Sequence, residues 1–188
     1  PKKHNPDVLC RLLLNPDVRR VYTSFPITNI QGRPEIIDAV ERFKRELSRD
    51  FVVFDPYAIS EKKLEYLADS ARKSGKSYFY IEIGKDRGRK KISVADVDAI
   101  IPQIDQQIIS RDLQLIDQSH MVIAYVAAHP NGEPVHSAGT QKEVQYAREL
   151  GKDVYFIWTP TKEPGPFERD AATRIFRSVE EARENLAR

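Results

Sequence analysis

The chain has 188 residues, with 30 Lys or Arg against 28 Asp or Glu and a formal net charge of +2. That length buries one sizeable core without disulfides or metals, and the charge balance excludes the strong basic field of a dedicated nucleic-acid binder. No apolar run approaches the roughly 18 residues of a membrane span, and the single cysteine, Cys10, fits a reducing compartment, so a cytoplasmic location is expected.

The first nineteen residues carry Asn-Pro-Asp-Val twice, at Asn5–Val8 and Asn15–Val18. Each copy is a local capping signal, with Asn as N-cap and Pro at the first helical position. No longer period follows, so this is not a repeat architecture. Residues 1–19 are expected to form a helical extension or linker ahead of an α/β domain over 20–188. The chain opens at Pro1 rather than Met, as a processed chain or a piece of a longer protein does.

From there the chain alternates. Val21–Phe25 is a short β-prone run. Pro34–Leu47 carries Ile36, Ile37, Val40, Phe43 and Leu47 at helical spacing, opposite a charged face. Phe51–Phe54 is a second apolar run. Ser60–Lys73 reads as a helix capped by Ser60 and stopped by Gly75. Tyr78–Ile83 reads as a strand, Met121–Val126 and Val154–Trp158 as the two most continuous apolar strands, and Ala138–Leu150 and Val179–Leu186 as helices. Between Ile83 and the next helix, Lys85–Lys91 packs five positive charges into seven residues. It reads as a solvated loop or hairpin tip, with a phosphate or nucleic-acid contact as the alternative.

Strands and helices in alternation, with buried apolar strands, specify a single Rossmann-like or flavodoxin-like α/β domain. Its sheet is expected to be mostly parallel, five-stranded and flanked by helices. Such sheets bind ligands beyond the carboxyl ends of their strands, where the strand order reverses.

Two carboxylates stand out. Val97, Ile101, Ile104 and Ile108 form an apolar stripe, and its continuation falls on Asp112, an unusual place for a solvated charge. Pro102 interrupts that pattern and allows a kink or two helices. Glu143 completes Thr140-x-x-Glu143, a capping box with Thr140 as N-cap. The same position puts a carboxylate near a helix start beyond a parallel strand, where attack on a sugar anomeric carbon has its nucleophile. Ser137 and Gly139 lie just before this helix, a place suited to an anion. The loop from Ala127 to His136, punctuated by Pro130, Gly132 and Pro134, exceeds the roughly 2–6 residues usual for such a connection.

These residues carry a resemblance. Arg111-Asp112, the strand Met121–Val126, and Ser137-x-Gly139-x-x-x-Glu143 followed by Tyr146-Ala147 resemble the nucleoside 2-deoxyribosyltransferase superfamily. The closest motif match is to its nucleoside 5′-monophosphate N-glycosidases. Val21-Tyr22-Thr23-Ser24-Phe25-Pro26 is similar to the family's opening strand and small-residue loop. The resemblance spans about Arg20 to Pro160. It departs from the pattern at Phe25 and Gln145, where the family commonly has Gly, in the longer loop before Ser137, and in the inserted Lys85–Lys91 segment.

The resemblance implies that Glu143 attacks C1′ and holds the sugar as an ester. It implies that Asp112 contacts the base and helps protonate the leaving nitrogen, and that Tyr22 hydrogen-bonds Glu143. Ser137 and Gly139, with Ser24, Phe25 and Arg111, make up the implied substrate-binding set. Ser rather than Asp at 137 points to a 5′-monophosphate, because a carboxylate repels a phosphate and a hydroxyl donates to it. The implied activity is hydrolysis of a (deoxy)nucleoside 5′-monophosphate to free base and sugar 5-phosphate. Base exchange by a deoxyribosyltransferase and a catalytically weak nucleotide sensor within a larger protein are the alternatives. No metal or organic cofactor is implied, and the four histidines lack metal-ligand spacing. The implied partners are the nucleotide substrate and a second copy of the chain, in a homodimer or higher oligomer with shared sites. No membrane or nucleic-acid partner is implied. Thr161, Lys162 and Arg169, in the loop after the last apolar strand, are candidates for a phosphate contact.

Overall fold

Strands and helices alternate along the computed structural model, which describes residues 6–15, 17–30, 33–56, 63–83 and 88–186. In chain order they are α1 (Pro6–Leu14), β1 (Arg20–Ser24), α2 (Pro34–Leu47), β2 (Val52–Phe54), α3 (Lys63–Lys73), β3 (Tyr78–Ile83), β4 (Gly88–Ser93), α4 (Val94–Asp117), β5 (Met121–Val126), α5 (Ala138–Glu149), β6 (Asp153–Trp158), α6 (Pro166–Ala171), β7 (Arg174–Phe176) and α7 (Val179–Leu186). The contacts divide the chain into residues 59–111 and residues 2–58 with 112–188.

The larger unit holds a five-stranded parallel sheet in the order β2-β1-β5-β6-β7. After β1 the chain adds a strand on one side and then continues on the other, so the order reverses between β1 and β5. That is the switch point of a flavodoxin-like sheet. All six residues of β5 are buried, as a strand covered on both faces requires.

Strand periodicity sorts the core. Val21 and Phe25 face one side with Met121, Ile123 and Tyr125, and pack on Val40, Phe43 and Leu47 of α2 and Ala182 and Leu186 of α7. Tyr22, Val122, Ala124 and Val126 face the other side and pack on Ile116, Val144 and Ala147. Helix α2 occupies the predicted residues. Pro34 starts it, Glu35 sits in its first turn, Lys44 and Arg45 lie in its last, and its apolar stripe meets the sheet. Helix α1 is tied to this unit by Arg11, whose guanidinium donates to the carbonyls of Ser48 (2.7 Å) and Phe51 (3.0 Å).

The smaller unit is an antiparallel β3–β4 hairpin whose Phe79 and Ile92 pack with Ala68 and Ala71 of α3 and Val94 and Val97 of α4. Three expectations change here. Tyr78–Ile83 is a strand, but it belongs to this hairpin, and the fifth member of the parallel sheet is the three-residue β7. Gly88–Lys91 is not loop but strand, with Arg89, Lys90 and Lys91 exposed; Lys85–Arg87 and the Ser60 cap lie outside the described residues. Helix α4 runs unbroken through Pro102, which is exposed. Gly75 takes φ +67° at the end of α3, as a glycine stop does.

Phe43 is fully buried and stacks on Tyr125, with ring centroids 5.3 Å apart. Phe43→Ala is expected to lower the unfolding free energy by about 3–5 kcal/mol. Ile109→Ala, on an exposed face of α4, is expected to change it by less than about 0.5 kcal/mol. Denaturant titration measures both.

Candidate functional site

Helix α5 begins three residues before the capping-box register. Its N-cap is Ser137, in extended conformation (φ −143°, ψ 131°), whose side chain accepts from the Thr140 N–H at 3.5 Å. Thr140 is therefore inside the first turn, not at the cap, and Glu143 is the sixth helical residue rather than the reciprocal partner of a capping box. The change has a packing cause. Thr140, Val144 and Ala147 are the buried residues of α5, and the three-and-four spacing that puts them on the sheet also turns Glu143 to it.

There the carboxylate meets β1. Ser24 Oγ donates to Glu143 Oε2 at 2.5 Å, and the Tyr22 hydroxyl lies near enough to the same carboxylate to favour its ionised form. Ser24 and Tyr22 are two residues apart on one strand and so share its α5-facing side; both are fully buried. Asp112, 7% exposed, lies in the last turns of α4, and its charge acts on Glu143. Glu143, Asp112, Tyr22 and Ser24 thus converge in the larger unit at the β1/β5 switch point.

The electrostatics follow from that setting. Removal from water pushes the Glu143 carboxyl up from 4.5 to about 7, and the neighbouring Asp112 charge pushes the same way. The Ser24 hydrogen bond and the nearby Tyr22 hydroxyl oppose the shift by favouring the ionised form. The Asp112 charge thus adds to burial in favouring the protonated form of Glu143.

The remaining predicted site residues divide. Ser137 and Gly139 sit at the α5 N-terminus, where a Cβ on Gly139 would meet Ser137 Oγ at 3.5 Å. The Ser137 hydroxyl accepts the capping bond and keeps its own proton to donate. Arg111 is half-buried, one residue before Asp112. Phe25 is not brought to the carboxylates. By strand parity it falls on the opposite face from Tyr22 and Ser24, buried in the α2-side core with the Lys44 ammonium 5.4 Å from its ring centre. Ser24, placed among substrate contacts by the resemblance, instead holds Glu143 directly; its spacing of two from Tyr22 is the signal for that role.

The loops beyond the sheet are fastened to each other. Residues 127–136 fold back through an Ala128–Pro134 bridge, and Gly132 takes φ +82° at the turn. Thr161 N–H donates to the Gly132 carbonyl at 3.2 Å, and Lys162 Nζ pairs with Glu133 at 2.9 Å. Arg169 donates to the Pro164 carbonyl. Of the three residues considered for phosphate, Thr161 and Lys162 are therefore engaged within these loops, and Arg169 lies not in the loop but on α6, bonded back to the loop before it. Among the described residues no group of His, Cys, Asp and Glu is arranged to hold a metal, and no helix is long and apolar enough to cross a membrane.

A carboxyl held above its unfolded value makes the native state bind its proton more tightly than the unfolded chain does. The stability contributed by Glu143 is then complete below about pH 4.5 and is lost as pH rises through about 7. Glu143→Gln removes the ionisation. Its melting temperature is expected to match wild type in acid and to exceed it above pH 7 by the equivalent of about 1–3 kcal/mol. Ser24→Ala, which removes a donor to the ionised form, should carry the Glu143 titration to higher pH. A constant gap at all pH values would contradict the buried, shifted carboxyl.

No family model matches the sequence, and the search of curated proteins finds no match. Among solved structures the chain is similar to a 2-deoxyribosyltransferase from the psychrotolerant bacterium Bacillus psychrosaccharolyticus, described as a biocatalyst for nucleoside synthesis. The identity is 15%, over 87% of this chain and 89% of that chain, with a TM-score of 0.50. At that identity the likeness carries the fold, which in this chain is the parallel five-stranded sheet flanked by helices.

Proposed function

We propose that this chain cleaves the N-glycosidic bond of a (deoxy)nucleoside 5′-monophosphate through a covalent glycosyl–Glu143 intermediate. The observation that carries the reading is the Glu143 carboxylate held by Ser24 and Tyr22 beside Asp112. The sequence motif and the 2-deoxyribosyltransferase fold support the same class of chemistry.

In the first step an ionised Glu143 oxygen bonds to C1′ as the bond from C1′ to the base nitrogen breaks, and protonated Asp112 delivers its proton toward the leaving base. The Ser24 and Tyr22 hydroxyls hold the attacking carboxylate in line and lower the cost of keeping it ionised. In the second step water attacks C1′, ionised Asp112 accepts its proton, and the ester opens to return Glu143 as carboxylate. The products are free base and sugar 5-phosphate, and no metal or redox step enters the balance.

Ser137 supports the monophosphate, since its hydroxyl and the N–H groups of the first α5 turn suit a phosphate. A second base in place of water converts the same intermediate into base exchange, the chemistry named for the neighbour. A homodimer in which the loop after β6 reaches the partner's site belongs to the same proposal.

Chromatography of ribo- and deoxyribonucleoside 5′-monophosphates, with the matching nucleosides alongside, tests it. Free base is expected from a monophosphate, with activity falling by at least about a thousandfold in Glu143→Ala, as expected on loss of a nucleophile. Base exchange on adding a second base would assign the transferase. Nucleotide binding with no base released from any member would contradict the enzyme and leave a sensor.

A further inference from the structure

The near-zero charge of the whole chain hides a segregation. Residues 72–93, from the end of α3 through the β3–β4 hairpin, hold eight Lys or Arg against two Asp or Glu, so the rest of the chain is acidic on balance. Strand alternation divides the side chains of the hairpin. Phe79 and Ile92 pack with α3 and α4 in the small core. Tyr78, Tyr80 and Glu82 therefore share the other face of β3, and the register sets Ser93, Lys91 and Arg89 opposite them.

This outer face is aromatic and basic at once. Tyr80 is 54% exposed, and Tyr78, Arg89 and Lys91 are exposed beside it. The two tyrosine rings meet edge to face with centres 5.8 Å apart, and the Lys91 ammonium lies 3.9 Å from the centre of the Tyr78 ring. That contact occupies Tyr78 and holds the Lys91 charge beside the rings, which leaves Tyr80 open to stack on a ligand. Among the described residues Arg89 and Lys91 form no ion pair, not even with Glu82, the cross-strand partner of Arg89. Asp69 of α3 and Asp98 of α4 pair with Arg72 instead.

Unneutralised cations beside an exposed ring suit a polyanion that carries flat rings of its own. A single strand of nucleic acid is such a partner, because its phosphates meet the cations and its bases stack on tyrosine. An acidic protein or an anionic lipid surface would use the cations and leave the ring idle. A duplex keeps its base faces stacked on one another.

We infer that the outer face of the β3–β4 hairpin binds a single strand of nucleic acid, with Tyr80 stacking on a base and Arg89 and Lys91 contacting phosphates. Every residue involved belongs to the smaller unit, so the inference stands whether or not Glu143 is a nucleophile.

Labelled oligouridine and oligothymidine of about twelve nucleotides, and a duplex of the same length, are titrated with the full chain and followed by fluorescence anisotropy. Saturable binding of a single strand is expected, tighter than that of the duplex, and the tighter of the RNA and DNA arms assigns the source. Tyr80→Ala is expected to weaken binding by at least about fivefold, and Tyr80→Phe, which keeps the ring, to bind as wild type does. Arg89→Ala combined with Lys91→Ala is expected to weaken binding and to flatten the slope of log K against log salt by about 1.4, as the loss of two phosphate contacts does. These side chains are exposed, so the variants keep the fold, and melting curves check it. Uridine 5′-monophosphate at the same nucleotide concentration should not displace the strand. Absence of saturable binding by either strand would overturn the inference. So would duplex binding as tight as single-strand binding, an unchanged affinity in Tyr80→Ala, or an unchanged salt slope in the double variant. Displacement by the mononucleotide would place the strand at the Glu143 site and overturn it as well.

Discussion

The contact between the Glu143 carboxylate and two hydroxyls of β1 is the constraint on which the site depends. It requires Tyr22 and Ser24 to share a strand face, α5 to present Glu143 toward the sheet, and α4 to end beside them with Asp112. A one-residue slip of β1 would exchange Tyr22 and Ser24 for Val21 and Thr23. The parallel pairing of Val21–Ser24 with Met121–Ala124 holds that register. The fully buried β5 gives the sheet a centre from which a slip would expose apolar surface.

Holding a carboxyl where water is scarce works against stability, since ionising Glu143 above pH 7 has to overcome its removal from solvent. The rest of the larger unit offsets this. Its two apolar layers lie on opposite faces of the sheet, one under α2 and α7 and the other under α4 and α5. Arg19 ties the C-terminal helix back through its bond to the Leu186 carbonyl, and Arg183 pairs with Asp50 and Glu46 at the end of α2. The loops at the carboxyl edge are secured to one another by Thr161 and Lys162.

Much of this was legible before any coordinates, for local reasons. Pro34, Glu35 and the apolar spacing to Leu47 delimit α2 without tertiary help. The stripe from Val97 to Ile108 runs on to Asp112, and that carboxylate is buried where the pattern places it. Other features depend on contacts that local rules do not encode. Ser137 and Thr140 are both good N-caps, and the packing of Val144 and Ala147 decides between them. Tyr78–Ile83 is an apolar run whose pattern does not name its partner strand. Arg174–Phe176 is too short to show a period at all. Phe25 follows β1, and only its parity with Val21 turns it from the Glu143 side to the α2-side core.

The central claim is that Glu143 bonds to the sugar, and trapping that bond tests it most directly. The protein is incubated with a nucleoside 5′-monophosphate bearing an electronegative 2′-fluorine, which slows release of the ester, then quenched and digested for mass spectrometry. The account predicts a sugar-phosphate adduct on the peptide containing Glu143, absent in Glu143→Gln. Base release that continues in Glu143→Gln, with no adduct on that peptide in wild type, would contradict it.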